Sequence, residues 1–411
     1  MTQTRIQSLH AFHVGIRLKK PIRHASFSRT QNDTLIVRCE LTDGSVGWGE
    51  GLPRSYVTGE TIDTAMCQLK NSCFEPLAEC DLSDPVSVMN TVASWQLNTD
   101  INQTGMPKAK ANDSGSSDPE RSGFGQSVRC AVELAALDAS SRSVGISVQN
   151  VIQEFADPMG LKQDNPLVRY SGVVTSANRR IAQFRSALKM KLFGFAAVKV
   201  KVGHPETCDK KLLARIRRIV GRKINVRVDA NEAWEPEAAA KRIRELLQYG
   251  ISCVEQPIAD RYRKNLTSLR QDVGVPIMLD ESLCSVADAK EAVANQFCDS
   301  FNVRLSKCGG IFNSLKIIQI AHAAGLFVQL GCLVGETGIL SAAGRHFACG
   351  VGPIRFYEGS YDRFVVKDRL TNEDCTFGYG GVGKSIQGHG LGITVNEAEV
   401  ARSTVRKLKC L

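Results

Sequence analysis

The chain has no long apolar run. None of its hydrophobic stretches approaches the ~20 residues that cross a bilayer, and the N-terminal MTQTRIQSLHAF carries no apolar signal segment. Aromatic residues are scarce, 6% of 411 positions. They are not interleaved with the scattered lysines and arginines, so the net charge of +10 does not describe a nucleic-acid surface. It suits solubility and the steering of an anionic substrate. No Cys-x-x-Cys pair occurs among the 14 cysteines, and Cys253 and Cys332 lie in apolar strand-like runs where a free thiol packs as a small hydrophobe. A reducing compartment follows. The expectation is a cytoplasmic homo-oligomer with neither nucleic acid nor membrane as partner.

What is present is ordinary globular material, 43% hydrophobic and 23% charged, in a chain longer than one usual domain. The first 50 residues alternate as strands do, with Asp43-Gly44 as a hairpin signal. Polar loops at 19–32 and 51–61 flank this sheet and are long enough to reach over a site. Helical periodicity follows at 62–78, from Pro85, and at 126–143. Between them, 98–123 is polar and nearly without large apolar residues, which reads as a disordered insertion. Beyond Pro166 the rhythm becomes strand, helix, strand, helix. Candidate strands at 168–174, 196–202, 225–230, 253–256, 277–280, 300–305, 327–331 and 354–357 give eight parallel units, enough to close a (β/α)8 barrel. The expected organisation is an α+β capping domain over 1–165, the barrel over 166–358, and a segment at 359–411 that returns to the cap.

The chemistry concentrates at the strand ends. In VKVKVG, Lys199 and Lys201 share one face of a strand whose other positions are valines. Read alone, the pair also fits an edge strand with its lysines in water. Asp229 ends VRVDAN, Glu255 ends SCVEQP and Asp280 ends PIMLDES, 26 and 25 residues apart, one βα unit each. The C-terminal ends of barrel strands converge, and three buried carboxylates without a cation would repel and take up protons. All-oxygen ligation suits Mg2+, with Mn2+ as a substitute, better than zinc. Lys307, in FNVRLSKCGG, is expected to end the sixth strand opposite the lysine pair. A metal between opposed lysines suits abstraction of a proton α to a carboxylate through an enediolate, with Lys201 as base, Lys199 tuning it by repulsion, and Lys307 serving the other face. Arg304 is expected to fill the barrel interior and His346 to be a helix residue.

The Lys-x-Lys strand, VDANEAW, VEQPI, LDES and NVRLSKCGG together resemble the enolase superfamily, specifically its muconate-lactonizing-enzyme subgroup, across essentially the whole chain. The resemblance implies a Mg2+-dependent isomerase with Asp229, Glu255 and Asp280 as ligands, Lys201 and Lys307 as acid/base groups, and Lys199 and Asn231 in support. It also implies that cap loops near Ser26 and Tyr56 select a small carboxylate substrate. The mandelate-racemase subgroup is disfavoured, because its seventh-strand histidine is replaced here by Cys332 in QLGC.

Substrate is less legible. GWGEGLPRSYVTGET resembles a loop of dipeptide epimerases, but their Asp-x-Asp after the eighth strand is replaced by RFYEGSYDRF, leaving Glu358 and Asp362 at a different spacing. Muconate cycloisomerases and N-acylamino acid racemases share the same catalytic set. An o-succinylbenzoate-synthase-like or other syn-dehydrating lyase is the alternative, and a non-catalytic metal-binding barrel is the alternative of another class. Glu336, in LVGETGIL, either orients Lys307, touches substrate or stands at a helix N-terminus.

Overall fold

The computed structural model describes residues 3–23, 28–98, 122–175 and 180–411. Ser26 and nearly all of the 98–123 insertion lie outside the described residues. Three antiparallel strands open the chain, β1 (Ile6–Arg23), β2 (Ser28–Leu41) and β3 (Val46–Gly51). Two short strands follow, β4 (Leu167–Arg169) and β5 (Gly172–Val174), then β6 (Ala197–Lys201), β7 (Asn225–Asp229), β8 (Ile251–Glu255), β9 (Ile277–Leu279), β10 (Ser300–Val303), β11 (Phe327–Leu330) and β12 (Phe356–Tyr357). The chain ends with β13 (Val382–Lys384) and β14 (Thr404–Lys409).

β5 to β12 form one eight-stranded parallel sheet in sequence order, and a parallel bridge between Tyr170 and Tyr357 brings its two edges together. This is an α/β barrel with a capping domain, as the strand–helix rhythm leads one to expect. Two strand limits differ from expectation. The 168–174 run is divided, its first half pairing with β13 rather than with the barrel. The sixth barrel strand stops at Val303, because Leu305–Cys308 turns into a short helix closed by Gly309 in the left-handed region. The 62–78 periodicity likewise divides into helices Ile62–Asn71 and Glu75–Glu79, Pro76 sitting in the first turn of the second.

The cap is held to the barrel by close approach and by buried carboxylates. β3 turns Gly47, Gly49 and Gly51 toward the helix Gln126–Ser143, so near that a Cβ on Gly49 would lie 1.9 Å from the carbonyl oxygen of Ala131. Alternation places Glu50 on the other face, where it accepts hydrogen bonds from Thr337 N (2.9 Å), Thr337 Oγ1 (2.8 Å) and Leu340 N (3.0 Å) at the start of a barrel helix. Glu133, on the long helix, accepts from Ile311 N at the start of another. β14 pairs antiparallel with β1, adding the C-terminal segment to the edge of the cap sheet.

Candidate active site

Parallel register gathers the ionisable residues. Lys199 lies beside Arg227 and Lys201 beside Asp229, and Asp229 in turn beside Glu255. The lower interior layer is apolar, formed by Cys253, Met278 and Phe356. Above it Lys199, Lys201, Arg227, Asp229, Glu255, Asn302 and Gln329 bring polar and charged groups together.

Lys199 is saturated. Its Nζ lies 2.8 Å from Glu358, 3.1 Å from Glu255 and 3.3 Å from Asp229. Burial works against its ammonium, but Glu255, Glu358 and Asp229 outweigh it and hold its pKa well above the ordinary lysine value. Its charge is met by three carboxylates. Lys201 is different. Its side chain stays 30% exposed, with Asn231 Oδ1 at 2.7 Å and Asp229 at 4.0 Å. Asn231 and Glu232 both adopt left-handed backbone (φ 44° and 63°), held by Asn231 N donating to Asp229 Oδ1 and Glu232 N to the Gln256 carbonyl.

The three strand-end acids are buried. Burial lifts Glu255 to about 7 against the pull of Lys199, with Asp229, Glu358 and Asp280 adding to the rise. Asp280 goes the other way, because Arg304, Lys307 and Lys199 overcome its burial. Among the described residues no three acidic, histidine or cysteine side chains form a ready-made metal group. Protein cations stand between the carboxylates, Lys199 on Glu255 and Asp229, Arg304 on Asp280. The donor set nevertheless fits a hard divalent ion. It is all oxygen, and Asp229 Oδ2 makes no hydrogen bond and is met only by the ion pair with Lys199 at 3.3 Å and by Lys201 at 4.0 Å. A cation there competes with Arg304 for Asp280.

Lys307 requires a correction of place. It does not end β10 but lies in the Leu305–Cys308 helix, 0% exposed. Its ammonium donates to the Asp280 carbonyl (2.6 Å), the Asn302 carbonyl (2.9 Å) and Asp280 Oδ1 (3.0 Å). Three donors meet three acceptors, so none is left to face the site. The residue on the inward register of β10 is Arg304, two beyond Asn302, whose amide donates to Glu255 Oε1. β10 stands four places from β6 in the eight-strand order, so Arg304 faces Lys201 across the barrel.

Other expected residues are placed as follows. Glu358 is locked between Lys199 and Arg227, its pKa lowered to about 2 because these cations overcome burial, and has no oxygen to spare for a substrate ammonium. Asp362 accepts from Thr376 Oγ1. Glu336 accepts from Leu333 N at 2.6 Å, is raised to about 8 by burial, and does not orient Lys307. His346 lies in the helix Gly338–Gly350, hydrogen-bonded to the Leu391 carbonyl. Tyr56 is half-buried in the turn after β3, next to Val57 at the barrel mouth. Arg227 and Gln329 were not singled out in the sequence. Alternation is the signal that finds Arg227, two residues before Asp229.

A parallel barrel with its ionisable side chains at the C-terminal strand ends, beneath a second domain, is the architecture of a barrel enzyme. A family model described as enolase C-terminal domain-like matches residues 181–399. The chain is 30% identical over 346 residues to a hydrophobic dipeptide epimerase of Enterococcus faecalis, covering 84% of this chain and 87% of that protein. It is 26% identical to muconate cycloisomerase 1 of Rhodococcus opacus, over 96% and 97% of the two chains. The solved structure of the E. faecalis dipeptide epimerase complexed with Mg and the dipeptide L-Leu-L-Tyr superposes with a TM-score of 0.78 at 26% identity, covering 95% of this chain and 99% of that one. The chain belongs to the enolase superfamily, in its mandelate racemase and muconate lactonizing enzyme branch, and is an isomerase-type member of it.

Proposed function

We propose that the protein carries out Mg2+-dependent abstraction of a proton α to the carboxylate of a small substrate, with Lys201 as the base. The observation that carries this reading is the contrast among the lysines: Lys199 and Lys307 are engaged by three oxygens each, while Lys201 is part-exposed beside a single amide. Asp229, Glu255 and Asp280 are the residues that would hold Mg2+, or Mn2+ in its place. When bound, the ion supplies positive charge that draws electron density from the substrate carboxylate and acidifies the α proton. Lys201 Nζ takes that proton and can return it only from its own side. Asn231 fixes the direction of Nζ, and Lys199 balances the carboxylates beneath.

Arg304, not a lysine, occupies the opposite wall. A guanidinium stays protonated in proteins and serves as a charge and hydrogen-bond donor rather than as a base. The geometry therefore favours chemistry completed on one face, as in cycloisomerisation. Two-faced epimerisation of dipeptides or N-acyl amino acids is the second reading, favoured by the E. faecalis relative.

The test is α-hydrogen exchange in deuterated solvent with Mg2+, followed by NMR on separate enantiomers of N-acyl amino acids and dipeptides and on muconolactone. Exchange of one enantiomer without conversion to the other is expected, lost in Lys201→Ala. Exchange that survives Lys201→Ala sinks the base assignment. Interconversion of enantiomers at comparable rates sinks the one-face reading.

A further inference from the structure

The helix Arg180–Leu192, which follows β5, has two apolar faces. One packs on the barrel and buries Ala187 and Met190. The other turns away from it, where Ile181, Phe184, Leu188 and Leu192 recur at helical spacing within a sector of about 80°. Ile181 is 68% exposed, Phe184 51% and Leu192 67%, on the side where an outer helix ordinarily carries polar residues. Two aromatic rings extend this patch at the end of the helix. Lys189 Nζ lies 5.6 Å from the centroid of the Phe364 ring, and Tyr379, 73% exposed, sits against Gly194 with its ring 6.1 Å from that of Phe193.

Cations rim the stripe on both sides. Arg185 and Lys189 follow its apolar residues along one edge, Arg180 and Lys191 along the other, and all four are exposed. The helix contains no acid to pair with them. Arg185 and Lys189, one turn apart, repel each other, a cost that an anionic partner removes. The neighbouring helix Asp209–Val220 is fastened alongside by Arg215, which donates to Gln183 Oε1 at 2.7 Å, and it adds Lys211 and Arg218 to the same exposed surface. Residues 180–223 hold 13 of the chain's 52 lysines and arginines but only 2 of its 42 acids, which leaves 39 against 40 elsewhere. The positive charge of the protein is therefore local to these two helices and the strand between them.

We propose that this face docks on the surface of an anionic lipid bilayer. Ile181, Phe184 and Leu192 enter the boundary between headgroups and acyl chains, while the flanking lysines and arginines extend their apolar stems beside them and reach the phosphates. The exposed tyrosine and phenylalanine at the end of the stripe suit the same boundary. Among the described residues no helix is long and apolar enough to cross a membrane, so the contact is peripheral. A second copy placed symmetrically on this face would set cation against cation, and a phosphate backbone alone would leave the aliphatic side chains in water. Sequence order conceals this surface, and reversible lipid contact replaces the expectation of no membrane partner.

Co-sedimentation of the intact protein with vesicles tests it, comparing equimolar phosphatidylglycerol and phosphatidylcholine with phosphatidylcholine alone. Partition onto the anionic vesicles is expected to be at least about 10-fold higher and to weaken with added salt. Arg185→Gln combined with Lys189→Gln should lower it roughly 30-fold, about fivefold for each cation at an anionic surface. Lys264→Gln combined with Lys290→Gln, exposed lysines on other sides of the barrel, should leave it within about twofold. Phe184→Ser combined with Leu192→Ser should lower it about 10-fold or more, and the emission of Phe184→Trp should shift to shorter wavelength when anionic vesicles are added. Melting temperatures are measured alongside, and only variants that melt like the native protein are compared. No preference for anionic vesicles, equal losses in the two cation pairs, undiminished binding in the serine variant, or an unshifted Phe184→Trp spectrum overturns the proposal. An oligomer that the serine substitutions dissociate, seen by sedimentation equilibrium, assigns the face to a second copy and overturns it as well.

Discussion

Two sets of side chains at the barrel mouth carry similar residue types in opposite states. In one set, Arg304 and Lys307 converge on Asp280, and beneath them Lys199 and Arg227 converge on Glu358, every charge met by another. At the open strand ends, Lys201 has one amide at 2.7 Å and Asp229 only at 4.0 Å, and Glu281 Oε2 is buried without a hydrogen-bond partner. A saturated network gives rigidity and resists exchange of partners. An unsaturated one is costly to maintain in the free protein, so a ligand that completes it recovers that cost. The difference teaches which half of the site is scaffold and which half awaits a ligand.

The largest expected effect breaks the open side. Lys201→Ala should lower α-hydrogen exchange by about 10^3-fold or more, in the range of a lost general base, with melting temperature nearly unchanged because the side chain is part-exposed. A comparable loss for Lys307→Met at intact stability would invert the assignment of the two sets. Next comes the closed side. Glu358→Gln leaves Lys199 and Arg227 buried with less compensation, and chemical denaturation should show about 3 kcal/mol of lost stability; a neutral outcome would mean that Glu255 and Asp229 suffice.

A third prediction concerns the cap. Burial raises the Glu50 carboxyl to about 7, despite hydrogen bonds from Leu340 and Thr337. Since the folded protein holds this proton more tightly than the unfolded chain, the stability gained is fully present below about pH 4.5 and is lost as pH rises through 7. Relative to Glu50→Gln, the native protein should therefore lose up to about 3 kcal/mol between pH 5 and pH 8, measured by denaturation at each pH. Parallel pH profiles for the two proteins would refute it. The smallest effect sharpens the comparison. Arg304→Lys places a titratable ammonium in the closed set, and slow exchange of the second enantiomer should appear by NMR. Its absence would mean that the Asp280 contact, rather than the guanidinium chemistry, keeps that face inactive.

Periodicity and spacing determined a great deal by themselves. Eight strand–helix units, three carboxylates one unit apart and the Lys-x-Lys strand follow from local chain chemistry, since side-chain alternation and strand length are set by near neighbours. So does the close seating of β3 on its helix, in hindsight, from glycines at every second position. What only the tertiary structure decided is which charges meet. Lys307 and Arg304 are three residues apart, and a strand end two residues shorter than expected places one of them in a helix and leaves the other facing the site. Glu358 and Arg227 are 131 residues apart, and their pairing, which denies Glu358 to a substrate, exists only because the barrel closes. Partners of that kind are set by long-range packing, to which local sequence pattern is blind, and they separate the scaffold from the reacting side.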